Sequence, residues 1–157
     1  MVTEHRCEAM KPRTDAGRVV LLVQRHDDTR EMYAEFLRHN GLTPIAVSNG
    51  TDAVNAAPGA DVVVPGIALN GDIDGVELIG RLRQDERTNT TPIIVLTGCV
   101  QPTDRQRAED AGCEVFLEKP CLPEALLREV RRMLAVPWRR ANPRSGSRHA
   151  PRISRRA

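Results

Sequence analysis

From about residue 18 to residue 134, short apolar runs alternate with stretches whose apolar positions recur every three or four residues. The first run, Arg18-Val-Val-Leu-Leu-Val23, is continuous between polar flanks, as in a strand buried on both faces. Met32, Tyr33, Phe36 and Leu37 then follow at helical spacing. Asp28 with Glu31 predicts a capping box at the start of that helix, and Asn40-Gly41 predicts its end. The alternation continues with a strand over Thr43–Val47, a short helix over Thr51–Ala57 and a strand over Val62–Pro65. A helix over Gly75–Arg83 carries Val76, Leu78, Ile79 and Leu82 on one side. A strand over Pro92–Thr97, a weakly apolar helix over Asp104–Ala111 and a strand over Val115–Glu118 follow. The last helix, Pro123–Leu134, carries Leu126, Val130, Met133 and Leu134 at i, i+4, i+7 and i+8. Five strands alternating with five helices predict an α/β domain: a doubly wound parallel sheet covered on both faces, in three layers.

Composition narrows the class only a little. The 157 residues are enough for one domain with tails: an N-terminal extension (1–17), a domain (18–136) and a tail (137–157). Both ends are polar and aperiodic, which predicts disorder, and Met1 and Met10 are alternative starts. No apolar run approaches a membrane span and the first residues do not resemble a signal peptide, so the expected compartment is the cytoplasm. Cys7, Cys99, Cys113 and Cys121 show no CxxC spacing, which fits free thiols. The net charge of +2 hides an asymmetry. Seven arginines and no acid lie between Trp138 and Ala157, so the preceding residues carry −5.

In an open parallel sheet, ligands lie beyond the carboxyl ends of the strands, near the point where strand order reverses. That rule brings Gln24, Arg25, Gly66, Thr97 and Lys119 around one pocket, each ending or following its strand.

The segments that carry these residues resemble the receiver domain of two-component response regulators. Val20-Leu-Leu-Val-Gln-Arg-His-Asp-Asp-Thr-Arg-Glu-Met is similar to a receiver's first strand and helix, with Gln24 and Arg25 where the family has its acid pair. Asp61-Val-Val-Val-Pro-Gly-Ile-Ala-Leu-Asn-Gly-Asp-Ile-Asp-Gly75 resembles the third strand and its loop, with Gly66 at the phospho-acceptor position and Asn70 in place of the usual proline. Thr97, Phe116 and Lys119-Pro120 match the family's switch hydroxyl, switch aromatic and site lysine. The resemblance implies a flavodoxin-like (βα)5 fold of strand order 2-1-3-4-5 and a partner face on the fourth helix, fifth strand and fifth helix.

Moving a phosphoryl group onto aspartate needs an ionised acceptor and a divalent cation, and Mg²⁺ is usually held by one or two protein carboxylates. Gln24, Arg25 and Gly66 supply none. The expectation is a receiver-like protein that lacks phosphorelay chemistry and Mg²⁺ binding, is not an enzyme, and acts by contact with a protein partner such as a histidine kinase or another regulator. Two further readings stay open. Asp27, Asp28, Asp72 or Asp74 would serve as an unusual phospho-acceptor in one, although a shift to Asp27 or Asp28 puts the first helix out of phase. In the other, the basic tail contacts nucleic acid or an anionic membrane surface, against its simpler role as a solubilising tail in a protein where 21 of 23 basic residues are arginine.

Arg25 and Lys119, set about 5 Å apart, repel by about 3 kcal/mol at an effective dielectric near 20. Pairing of Arg25 with Asp27, Asp28, Asp72 or Asp74, or a bound anion, would offset this. Thr97 and Phe116 also read as ordinary strand residues of a core. His26, Cys99 and Cys121 fall at the same rim, but no local ligand spacing supports a metal site there. No output domain is expected after Leu134, because the remaining residues are few and polar.

Overall fold

The computed structural model describes residues 16–98 and 101–135. The expectations for the segment before residue 16, for Cys7 and Cys99, and for the basic tail with Trp138 lie outside those residues. The chain order is β1 (Val19–Val23), α1 (Asp27–His39), β2 (Thr43–Val47), α2 (Gly50–Ala56, continued by a 3-10 turn over Ala57–Gly59), β3 (Val62–Pro65), α3 (Gly75–Gln84), β4 (Ile94–Thr97), α4 (Pro102–Ala111), β5 (Val115–Glu118) and α5 (Pro123–Leu134).

All strand pairings are parallel. β1 lies between β2 and β3, with Leu21 opposite Ile45 on one side and Val63 on the other. β4 pairs with β5, Val95 facing Phe116, and a bridge between Val63 and Ile93 links the two groups of strands. The neighbours therefore run β2-β1-β3-β4-β5, the flavodoxin-like order. Residue parity explains the three layers, because successive strand side chains point to opposite faces. Val20, Leu22, Val62, Val64, Ile94 and Leu96 pack against Tyr33 and Leu37 of α1 and Leu126 and Val130 of α5. Leu21, Val23, Val63 and Val95 face the other way, toward Ala53 of α2, Leu78, Ile79 and Leu82 of α3, and Ala108 of α4. Continuous apolar strands are thus what two cores sharing one sheet demand.

Helix ends depart from expectation in one instructive place. α1 starts at Asp27, with His26 as its N-cap and no side-chain cap, so the capping box expected at Asp28 and Glu31 does not form. Asp27 turns to Arg30 instead, at 2.6 Å, and Arg30 in turn donates to the Gln24 carbonyl at 2.8 Å. With the helix beginning at Asp27, Asp28 stands inside its first turn and cannot serve as the N-cap. α2 is capped by Asn49, which accepts from Asp52 N, and α3 by Asp74, which accepts from Glu77 N. α4 begins two residues before the expected start, with Pro102 in the first helical turn, where a missing N–H costs nothing.

The amino ends of β4 and β5 are tied together by a part-buried network. Arg83 donates to both Glu114 carboxylate oxygens at 3.0 and 3.1 Å, to Thr91 O at 2.7 Å and to Gly112 O at 2.8 Å. Glu114 also accepts from Ile93 N at 2.8 Å, fixing the entry to β4. Gly112 has φ +121, and a Cβ there would press against the Arg83 side chain, so only glycine suits the turn.

Candidate functional site

At the carboxyl ends of the strands a cleft of about 160 Å³ opens between Gln24, Arg25, His26, Thr29, Gly66, Ala68, Leu96, Thr97, Gly98 and Lys119. The structure brings together all five pocket residues read from the sequence: Gln24, Arg25, Gly66, Thr97 and Lys119. β1 delivers Gln24 and Arg25, β3 delivers Gly66, and β4 ends in Thr97. Lys119 follows β5, before a cis bond to Pro120.

Gln24 is 1% exposed and its amide is fully used. Oε1 accepts from Lys119 Nζ at 2.8 Å, while Nε2 donates to Leu96 O at 3.2 Å and to Val64 O at 3.5 Å. This orientation alone matches donors to acceptors, since an ammonium only donates and a carbonyl only accepts. A carboxylate in the same place would set an oxygen against the Leu96 carbonyl. Gly66 lies beside this amide. A Cβ built on it would meet Leu96 O at 3.4 Å and the two amide heavy atoms of Gln24 at 3.6 and 3.7 Å. The glutamine side chain thus crowds the ground that a longer residue at position 66 would enter. The backbone there is fixed from the other side by Gly75, whose N–H donates to Ile67 O at 2.7 Å and where any Cβ would overlap the Gly66 carbonyl.

Thr97 is buried, and its hydroxyl accepts a long bond from Ile67 N at 3.5 Å. Arg25 is exposed, with a terminal nitrogen 3.4 Å from His26 Nε2. The expected pairing of Arg25 with a nearby acid is absent among the described residues. Asp27 is held by Arg30, Asp74 caps α3 with Arg107 at 3.6 Å, and Asp28 and Asp72 are exposed. None of those four acids lines the cleft.

Phe116 sits away from the cleft. It is 8% exposed, packed in the core with Ala108, and the Arg105 guanidinium lies 5.2 Å from its ring centre. Among the described residues no three His, Cys, Asp or Glu side chains stand close enough to hold a metal ion. No described helix is long and apolar enough to cross a membrane.

Two supporting residues escaped the sequence reading. Arg30 clamps the loop after β1, and its only signal was the Asp27 spacing of three. Tyr33 read as one of the apolar stripe, yet its hydroxyl donates to Cys121 O at 2.6 Å, tying α1 to the loop after β5. Burial, and secondarily Cys121, raises its pKa. A buried tyrosine that needs a partner for its hydroxyl was the available clue.

Comparison with known proteins adds a consistent picture. The family model of the response regulator receiver domain matches residues 20–131. The phosphate regulon transcriptional regulatory protein PhoB of Escherichia coli is 27% identical over 120 residues, 75% of this chain and 52% of PhoB. An uncharacterized 14.6 kDa protein of Leptolyngbya boryana is 32% identical over 121 residues, 75% of this chain and 92% of that one. The chain therefore spans about half the length of the PhoB proteins it matches. Among solved structures, a response regulator from Chloroflexus aurantiacus has a TM-score of 0.70 at 30% identity, covering 76% of this chain and 98% of that one. The receiver domain of the Pseudomonas aeruginosa sensor histidine kinase PA1611, with magnesium coordinated in its active-site cleft, gives 0.70 at 28%, covering 76% and 98%.

Proposed function

This chain belongs to the response regulator receiver family of two-component signalling, and we propose that it is a receiver without phosphoryl-transfer chemistry, working in the cytoplasm by docking to a protein partner. One observation carries the reading. The buried Gln24 amide joins Lys119 to the β3 and β4 carbonyls beside Gly66, in a cleft that no carboxylate of the described residues lines. A hard divalent cation needs several oxygen ligands, at least one usually anionic. Arg25, Lys119, an engaged amide and a glycine do not fit magnesium. Among the described residues no acceptor carboxylate lines the cleft, which supports a binding module over a catalyst. Its partner belongs to the signalling class, a histidine kinase or another regulator, and the face of α4, β5 and α5 is the docking surface we favour from the family resemblance.

The reading that a neighbouring aspartate takes the phosphoryl group has less support, because Asp27 and Asp74 are committed to Arg30 and to the α3 cap. The test is incubation of the full chain with acetyl phosphate and Mg²⁺, followed by intact-mass measurement. We expect no phosphoryl adduct and no saturable Mg²⁺ binding. A Mg²⁺-dependent adduct on any aspartate would overturn the proposal.

A further inference from the structure

We propose that the cleft at the carboxyl ends of the strands is a metal-independent site for a tetrahedral oxyanion of the phosphate class, held without a covalent bond. This rests on the reading of the cleft as lacking phosphoryl transfer, and it names the ligand that such a cleft takes in its place.

The lining residues carry charge of one sign. Arg25 and Lys119 are cationic, Thr29 and Thr97 offer hydroxyls, His26 offers an imidazole, and none of the ten is an acid. Concave surfaces lined by one sign of charge focus the field and concentrate counter-ions. Most other described arginines sit on carboxylates, as with Arg30 on Asp27, Arg81 on Glu77 and Arg132 on Glu129. Arg25 departs from that habit. It makes no ion pair among the described residues, and its one short polar neighbour is His26 Nε2, at 3.4 Å. Its guanidinium, exposed at the mouth, presents a planar fork suited to two oxygens of one anion.

A second feature points the same way. His26 and Thr29, from the first turn of the 13-residue helix α1, form part of the wall. His26 gives that helix no side-chain cap, so the positive end of α1 meets the cleft with its first N–H groups uncapped by a side chain. Asp27 and Asp28 belong to the same turn but do not line the cleft. Inside, the Thr97 hydroxyl accepts from Ile67 N and keeps its own proton to donate. The Gln24 amide, already spent on Lys119 and two carbonyls, sets the floor without adding charge. A cavity of about 160 Å³ is many times the roughly 10–15 Å³ that one water requires, so an oxyanion and a few waters fit.

The experiment is calorimetric titration of the full chain with inorganic phosphate, in buffer containing EDTA. A parallel arm uses O-phosphoserine, to separate a free ion from a phosphomonoester as the natural ligand. We expect saturable one-to-one binding that weakens as salt is raised and gains nothing from Mg²⁺. Arg25→Ala should weaken it by about tenfold or more, the loss of one charge-assisted contact, while the unfolding curve stays unchanged because Arg25 is exposed. Tighter binding of O-phosphoserine assigns the site to phosphorylated ligands, and tighter binding of phosphate assigns it to the free ion; either supports the site. Absence of saturable binding, equal binding by Arg25→Ala, or a strict need for Mg²⁺ would overturn it. Failure here without any covalent adduct leaves the non-phosphorylated reading standing, whereas an adduct from acetyl phosphate removes that reading by itself.

Discussion

The two ends of the sheet treat a basic residue in opposite ways. At the amino ends of β4 and β5, Arg83 meets a carboxylate and a ring of backbone carbonyls, and it is 18% exposed, as is its partner Glu114. At the carboxyl ends, Lys119 donates to the neutral amide of Gln24, next to exposed Arg25, and none of the described residues along the wall is an acid. The first arrangement balances charge locally and locks the entry to two strands. The second gathers cationic side chains and neutral hydrogen-bonding groups around a concavity. The two arrangements are thus told apart by what each cation faces, not by the cation itself.

Glu114→Ala should give the largest effect. It leaves the Arg83 guanidinium part-buried without its carboxylate and frees Ile93 N, and breaking such a pair costs about 3 kcal/mol. Urea denaturation measures it, and a loss below that of a typical surface substitution would remove the lock from the amino end. Gln24→Leu should cost less, about 1–2 kcal/mol, because Lys119 at the cleft can regain water while only the Leu96 and Val64 carbonyls stay buried. Combining it with Lys119→Met should show coupling of about 1 kcal/mol in a double-mutant cycle. Strict additivity would mean the amide and the ammonium do not act together.

The finest contrast lies in the thiols. Burial, reinforced by Glu114 and Glu109, pushes the Cys113 thiol at the amino end up to about 12. Burial also raises Cys121 near the carboxyl end. The folded state of Cys113 holds its proton more tightly than the unfolded one, whose ordinary value is 9.0. Its contribution is therefore complete below pH 9 and lost as pH rises from there toward 12. Denaturation midpoints measured across that window should fall with pH, and Cys113→Ala should flatten the decline. Peptide mapping after brief alkylation at neutral pH should find Cys121 modified ahead of Cys113.

Much of this molecule was legible in its order of residues. The continuous apolar runs at Val20 and Val62 required strands buried on two faces, and the stripe at Leu126, Val130, Met133 and Leu134 required a helix packed along one side. Gln24, Arg25, Gly66, Thr97 and Lys119 could be set at one end of the sheet because strand ends in a parallel sheet converge there. These inferences succeed because burial periodicity is a property of local sequence. The capping box at Asp28 failed for the complementary reason, since α1 begins at Asp27 and leaves Asp28 inside its first turn, beside an Arg30 bond to the Gln24 carbonyl that exists only after folding.

Sequence by itself determined the alternation of strands and helices, the absence of acids at the three strand ends and the charge each side chain brings. Only the tertiary structure decided that Gln24 turns its amide between Lys119 and two carbonyls, that Tyr33 reaches Cys121, and that Arg25 lines the cleft with no carboxylate of the described residues beside it. Those are matters of distance between residues as many as 95 positions apart, and hydrogen-bond partners over such separations are assigned by packing, not by neighbours along the chain.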